Sequence, residues 1–467
     1  MRRITSVTMV GKVAIGGANP IRIQSMATTD TTDTEASVAQ AKRIIDAGGE
    51  LVRFTTQGVR EAENMKNIRA ALRADGYDAP LVADVHFTAH TADVAAQHCE
   101  KVRINPGNYV DPGRTFKHLV YTDEEYACEL KKIERRLVPF LNICKEHHTA
   151  VRIGVNHGSL SDRIMSRYGD TPEGIVESCM EFLRICRRED FNDIVISIKA
   201  SNTVVMVTTV RMLVETMNRE DMHYPLHLGV TEAGEGEDGR VKSAVGIGAL
   251  LTEGIGDTIR VSLSEEPEAE IPVARSIVEF VPECTELRRT AVIKDDTLFL
   301  DIAASTWEEL QLKASMAAGA ILIDKRAHNL CISCRAADDA TFAPTQEELV
   351  SLQDSILQAA RIKFTKTEYI SCPGCGRTLY DLRSTIARIK EATKGMVGVK
   401  IGIMGCIVNG PGEMADADYG YVGAGRGKIS LYKNKECVLK NIPEEEAVER
   451  LLELIANDRQ TTSTATE

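Results

Sequence analysis

What this sequence lacks narrows the field before any motif is read. It has no excess of positive charge: 56 Lys and Arg stand against 68 Asp and Glu, a formal net charge of −12. Nonspecific binding to nucleic acid or to an anionic membrane needs a basic face, so neither partner is expected. No apolar run approaches the roughly 20 residues that span a bilayer. The start, "MRRITSVTMVGKVAIGGANP", alternates Val, Thr and Gly where a signal peptide would carry a continuous apolar stretch. A cytoplasmic globular protein is the expectation, and 43% hydrophobic residues suffice for a large core. A disulfide framework is also not expected. Twelve cysteines in an unexported chain of 467 residues point instead to thiols, metal ligands or a redox centre. Seven of them (Cys99, Cys128, Cys144, Cys179, Cys186, Cys284, Cys437) sit singly in helix-like or apolar contexts and read as small buried hydrophobes.

What is present is an alternation. From residue 20 to about 280, short β-branched runs ("PIRIQSM", "ELVRFTT", "PLVADVHF", "KVRINPG", "AVRIGVNH", "DIVISIKAS", "PLHLGVTEAG", "DTIRVSLS") are separated by amphipathic helical stretches, several ending in Gly. Eight βα units with nearly continuous apolar strands imply a parallel sheet covered by helices. The expected fold is an α/β chain opening with a (β/α)8 TIM barrel over 1–277; an open doubly wound sheet is the alternative. "DEEYACELKKIERRLVPFLNICKEHH", after the fourth strand, reads as one long helix. Residues 278–367 read as a short inserted α/β segment built round "TLFLDIAASTWEELQLKASMAAGAILID". Residues 368–467 form a compact α+β unit around two cysteine motifs, ending in a polar tail expected to be disordered.

Barrel chemistry gathers where the strands end. The polar residues at or near those ends are Gln24, Arg53, Asp84, Arg103, Arg152, Lys199, Glu232 and Arg260. Five of the eight are cations. Like charges converging in one mouth repel at short range unless an anion fills it, and arginine offers bidentate donors to phosphate. A phosphate or diphosphate site is therefore expected, with Asn105, Asn156 and Ser262 as neutral donors close by and His227, on the strand before Glu232, as a further contact. The competing reading pairs each cation with a structural carboxylate.

The second cluster of chemistry is "SCPGCGRTLYDL", where Cys372 and Cys375 are spaced to grip one metal centre. Cys406 follows in "GIMGCIVNGPGEM", with Glu413 seven residues on. Three readings fit the spacing. The pair Cys331/Cys334 ("LCISC") could complete a zinc ribbon with Cys372/Cys375; it could be a redox dithiol; or Cys372, Cys375 and Cys406 could hold a cubane cluster with a non-cysteine fourth ligand. The neighbouring anion site favours the third. "GYVGAGRG" invites a dinucleotide reading, but β-like sequence follows it and the strand–turn–helix setting is missing.

Together "SCPGCGRTLYDL", "IMGCIVNGPGE", "RINPGN", "LVADVHF", "RIGVNHGSL" and "LGVTEAGEGEDGRVKSAVGIGALLTEGIGDTIRVSLS" resemble the 4-hydroxy-3-methylbut-2-enyl diphosphate synthase family, over about 1–275 and 368–455. The resemblance implies a cyclic diphosphate substrate in the barrel and a cluster domain similar to those of sulfite and nitrite reductases. It implies a [4Fe–4S] cluster on Cys372, Cys375, Cys406 and Glu413, fed by reduced ferredoxin or flavodoxin. Glu232 is then the candidate for moving protons, and Asp84 for orienting its neighbours. Short members are homodimers that place one subunit's cluster over the partner's barrel, and a homodimer is the expectation here. Larger members carry a middle domain, of which 278–367 resembles a shortened form; in it Cys331 and Cys334 read as free thiols. A transferase acting on a phosphate ester or pterin, with a purely structural metal, is the alternative function.

Overall fold

In the computed structural model, which describes residues 2–86, 88–111, 120–337, 341–407 and 410–464, eight parallel strands form one sheet among the described residues. They are Arg22–Met26, Leu51–Thr56, Leu81–Val85, Lys101–Ile104, Ala150–Asn156, Ile194–Lys199, His227–Leu228 and Thr258–Ile259. Each pairs with its neighbour in chain order, and the eighth returns to the first. A bridge from Ile196 to Leu226 joins sixth to seventh, so the sheet closes as a barrel. An open doubly wound sheet would leave those two edges apart. Polar caps start the covering helices, as where Asn202 accepts from the amides of Val204 and Val205. The long helix after the fourth strand runs Asp123–His147.

An N-terminal hairpin, Val7–Val10 with Val13–Gly16, plugs the barrel's lower end. Val10 and Ile15 pack there on Leu51, Val82, Ala150 and Val195, so only the C-terminal mouth is open.

The segment after the barrel forms a three-stranded sheet, Val292–Lys294, Thr297–Ala304 and Asn329–Ala336, the last two strands parallel. Its helix Trp307–Ile323 is buried along almost its whole length, against barrel helix Gly236–Leu251. Small residues allow that approach. A Cβ added at Gly248 would stand 2.5 Å from Met316 Cγ, and one at Gly319 would stand 2.5 Å from the Val245 carbonyl oxygen. The segment thus shares one core with the barrel. Cys331 and Cys334 lie on its last strand three residues apart. Strand residues at that spacing face opposite ways, so Cys331 is exposed while Cys334 is half-buried. Neither a dithiol nor half of a zinc ribbon can form from such a pair.

The last unit is a five-stranded sheet in the order Glu368–Ser371, Lys400–Met404, Tyr419–Gly425, Lys428–Lys433, Glu436–Pro443. Helices Leu382–Thr393 and Glu444–Thr464 contribute to its core, and the second continues through much of the tail expected to be disordered. "GYVGAGRG" is a strand running into a tight antiparallel hairpin, not a nucleotide loop. Of the seven single cysteines, five are buried as expected, but Cys128 is exposed and Cys437 half-buried.

Candidate active site between barrel and cysteine motifs

The first two parallel strands of the last unit end at Ser371 and Met404, so Cys372, Cys375 and Cys406 all follow strand ends. The barrel mouth is likewise a set of strand ends, and the two sets meet. Ala233 makes a parallel bridge with Ser371. Ser264 Oγ donates to the Cys372 carbonyl at 3.0 Å, and Ser201 Oγ to the Glu413 carbonyl at 3.1 Å. Gly158 and Gly412 touch backbone to backbone, leaving no room for a Cβ on either.

A cavity lies in this seam, lined by residues of a single chain. Arg53, Arg103, Arg152, Lys199 and Arg260 line it from the barrel, with Asp84, Asn156, Glu232 and Ser262. Cys372, Cys375 and Cys406 line it from the other side.

The cations divide by partner. Arg260 is held by Glu270 at 2.9 and 3.0 Å, and Arg103 by Asp84 at 3.1 Å. For these two the structural-pair reading is correct. Among the described residues Arg53 hydrogen-bonds only the Met26 sulfur, at 2.7 and 3.0 Å. Nε and Nη1 of Arg152 have no hydrogen-bond partner among the described residues although the residue is 1% exposed. Among the described residues no carboxylate lies within ion-pair distance of Arg53, Arg152 or Lys199. Burial, reinforced by neighbouring cations, pulls Arg152 and Lys199 well below their ordinary values and Arg53 to about 10. An anion in the cavity would reverse that, because it supplies the counter-charge the site lacks.

The carboxylates respond in opposite senses. Burial alone would raise Asp84, but Arg53, Arg103 and His86 outweigh it and hold Asp84 well below the carboxylate range. Burial and the charge of Glu232 push Glu413 well above it. Burial also raises Glu232, against hydrogen bonds from Thr231 and Glu413. Glu232 adopts φ of 50°, a left-handed conformation that strains a non-glycine residue and is a common mark of functional positions. Glu413 is gripped by the barrel: Asn156 Nδ2 donates to Oε1 at 2.7 Å and Thr231 Oγ1 to Oε2 at 3.1 Å.

Three expected residues fall elsewhere. Gln24 and His227 do not line the cavity; His227 meets Thr258 Oγ1 at 3.3 Å deeper in the barrel. Asn105 donates to Ser159 Oγ at 2.8 Å and accepts from the Gly107 amide at 3.1 Å, shaping a loop. Of the mouth histidines, His86 just past the third strand lines the cavity in place of the favoured His227, and Ser197, Thr231 and Arg377 line it without having been singled out. Arg377 had a visible signal, since it lies two residues past Cys375 in the quoted motif.

Three thiols lining one cavity form a donor set that suits a metal centre. Burial, then Cys375, Glu232 and Cys406, raises the Cys372 thiol, as expected where thiolates crowd without a cation between them. Yet among the described residues no three His, Cys, Asp or Glu side chains converge closely enough to hold a single metal ion.

Two domain families match this chain: the GcpE TIM-barrel domain over residues 5–275 and the GcpE protein C-terminal domain over 368–457. The chain belongs to the GcpE family. GcpE relatives named 4-hydroxy-3-methylbut-2-en-1-yl diphosphate synthase (flavodoxin) include one from Bacteroides fragilis, 52% identical over 603 residues, covering 97% of this chain and 95% of that protein. One from Phocaeicola vulgatus is 51% identical over 609 residues, covering 97% of each. The 603-residue alignment exceeds the 467-residue chain by 136, so that relative carries at least 136 residues this chain lacks. The two GcpE domains flank the middle segment, where a shortfall of that size has room to fall. Among solved structures, Xanthomonas albilineans dihydropteroate synthase is 13% identical at a TM-score of 0.40, covering 60% of this chain and 98% of that one. A likeness that low carries no argument.

Proposed function

We propose that this chain catalyses the two-electron reductive dehydration of 2-C-methyl-D-erythritol 2,4-cyclodiphosphate to 4-hydroxy-3-methylbut-2-enyl diphosphate. The observation that carries the proposal is one cavity with arginines and a lysine on the barrel side and three cysteine thiols opposite. The names of the relatives support reduced flavodoxin as donor, with ferredoxin the chemical equivalent. Cys372, Cys375, Cys406 and Glu413 would hold a [4Fe–4S] cluster, which supplies single electrons at the site of binding. Carboxylate is a harder, more labile ligand than thiolate, so the Glu413 corner is the exchangeable one.

The chain's own side chains do the rest. Arg53, Arg152 and Lys199, which have no carboxylate within ion-pair distance among the described residues, take the diphosphate together with Arg103 and Arg260. Ser262 adds a neutral donor. Asn156 accepts from Arg103 at 3.1 Å while donating to Glu413, so it orients both. Asp84 fixes Arg103, and Glu232 holds the proton that accompanies loss of a hydroxyl as water. In balance, two electrons enter, the ring C–O bond to phosphate opens, and the C3 hydroxyl leaves as water.

A phosphate-ester or pterin transferase would not need thiols on the wall of its substrate cavity. The homodimer expected from short relatives is not required to complete this site, because the seam joins two units of one chain. A cytoplasmic setting belongs to the proposal, since reduced thiols persist there; no helix among the described residues is long and apolar enough to cross a membrane. Anaerobic purification with iron and sulfide analysis, then turnover of the cyclic diphosphate with reduced flavodoxin, is the test. A colourless protein holding stoichiometric zinc and no acid-labile sulfide would sink the proposal.

A further inference from the structure

A second polar layer lies inside the barrel, beneath the cavity. Side chains two apart on a strand share a face. Gln24 therefore stands one step below Met26, Lys101 below Arg103 and Thr258 below Arg260, and the upper member of each pair lines the cavity. His227 stands two such steps below Thr231, which also lines it. On the other side is the N-terminal plug. Lys101 pairs in register with Val82 and Ala150, which pack on Val10 and Ile15 of the hairpin. The layer is thus enclosed between plug and cavity, and Gln24, Lys101, His227 and Thr258 are each at most 1% exposed.

This layer is unmatched. Lys101 Nζ, both amide atoms of Gln24 and Nε2 of His227 have no hydrogen-bond partner among the described residues. Burial, then Arg152 and Arg53, pulls Lys101 well below its ordinary value. Burial, then Lys199, Arg152 and Lys101, does the same to His227, so its ring is neutral. A neutral ring that accepts from Thr258 Oγ1 at Nδ1, 3.3 Å away, carries its proton on Nε2 and leaves that nitrogen a donor. Three buried side chains therefore offer donors where the neighbouring charges are positive, a costly arrangement unless an acceptor completes it.

We infer that this layer is a separate binding site for one small inorganic anion of halide size, held by Lys101 Nζ, Gln24 Nε2 and His227 Nε2. A cation is excluded by the charges around it. A phosphate is too bulky, since the interior of an eight-stranded barrel is just wide enough for side chains or one small ligand. The anion supplies the counter-charge that Lys101 lacks, and a water beside it can donate to Gln24 Oε1. The site stands whether or not the cavity above takes a diphosphate.

Bromide scatters anomalously and replaces chloride, so it is the probe. Crystals of the anaerobic, iron-loaded full chain grown in bromide should show an anomalous peak inside the barrel, about 3.5 Å or less from Lys101 Nζ. In solution at constant ionic strength, replacing gluconate, too large for the layer, with chloride should raise the melting temperature saturably, by about 2 °C. Lys101→Met, close in volume but uncharged, should lose both the peak and the saturable rise. Bromide confined to the cavity, or none at all, would overturn the inference, and so would an interior peak that survives in Lys101→Met. If that variant fails to fold, the position of bromide in the unaltered protein decides the matter alone.

Discussion

Arg152 is buried at 1% exposure with two guanidinium nitrogens unmatched, a condition a stable core avoids unless something else completes it. Its role can be separated from its packing by Arg152→Glu. The new carboxylate would sit among Arg53, Arg103 and Lys199 and neutralise them internally, so the fold should survive. Affinity for the cyclic diphosphate or for pyrophosphate should fall by about 100-fold or more, because an anion would meet a carboxylate where it now meets a cation. Calorimetric titration reads this, and unchanged affinity would mean that the mouth cations only build structure. Glu413 behaves differently, since three thiols remain when it is lost. Glu413→Ala should retain iron, measured directly, yet lose most turnover, at least about tenfold. Full activity in that variant would refute its place at the fourth corner.

At the scale of elements, the seam depends on two backbones meeting. The turn His157–Ser159 after the fifth barrel strand and the short helix Gly410–Glu413 approach so closely that only glycine fits at 158 and 412. Neither backbone can yield as a flexible side chain would. Gly158→Ala should therefore hold the cysteine-bearing unit off the barrel, leaving the barrel folded and pyrophosphate binding measurable while turnover drops at least about tenfold. Small-angle scattering should show a more open chain. Retained activity with an unaltered scattering profile would mean that the contact adapts. The middle segment uses a similar device at Gly248 and Gly319, where two helices pack nearly backbone to backbone and make segment and barrel one core.

For the whole molecule, the consequence is that one chain contains both walls of its cavity. Short forms of the family, as the sequence resemblance implies, borrow the second wall from a partner. Specific activity of this protein should stay constant on dilution over about 100-fold, because both walls of the described cavity come from one chain. A shared site would lose activity as dimers dissociate. Activity that falls with dilution and recovers on concentration would contradict the single-chain reading.

Local pattern determined a good deal. Apolar alternation, helix caps and turn glycines identify all eight strands and the long helix after the fourth. The position of Arg53, Arg103, Arg152, Lys199 and Arg260 at or near strand ends is likewise local, because barrel chemistry gathers where the strands end. The spacing of Cys372 and Cys375, and the glycines round Cys406, are equally local. Height within the barrel is not. It depends on how each strand is staggered against its neighbours, and that stagger leaves Gln24 and His227 off the cavity wall while Arg152 reaches it. Asn105 was lost to a loop whose course depends on Ser159, far along the chain. Only docking of one unit on another decided that Arg377 would meet Asp84, that Glu413 would be held by Asn156 and Thr231, and that the mouth would close on the same chain's cysteines. Those contacts join residues more than 180 positions apart, and their geometry follows from packed surfaces that no short stretch of sequence records.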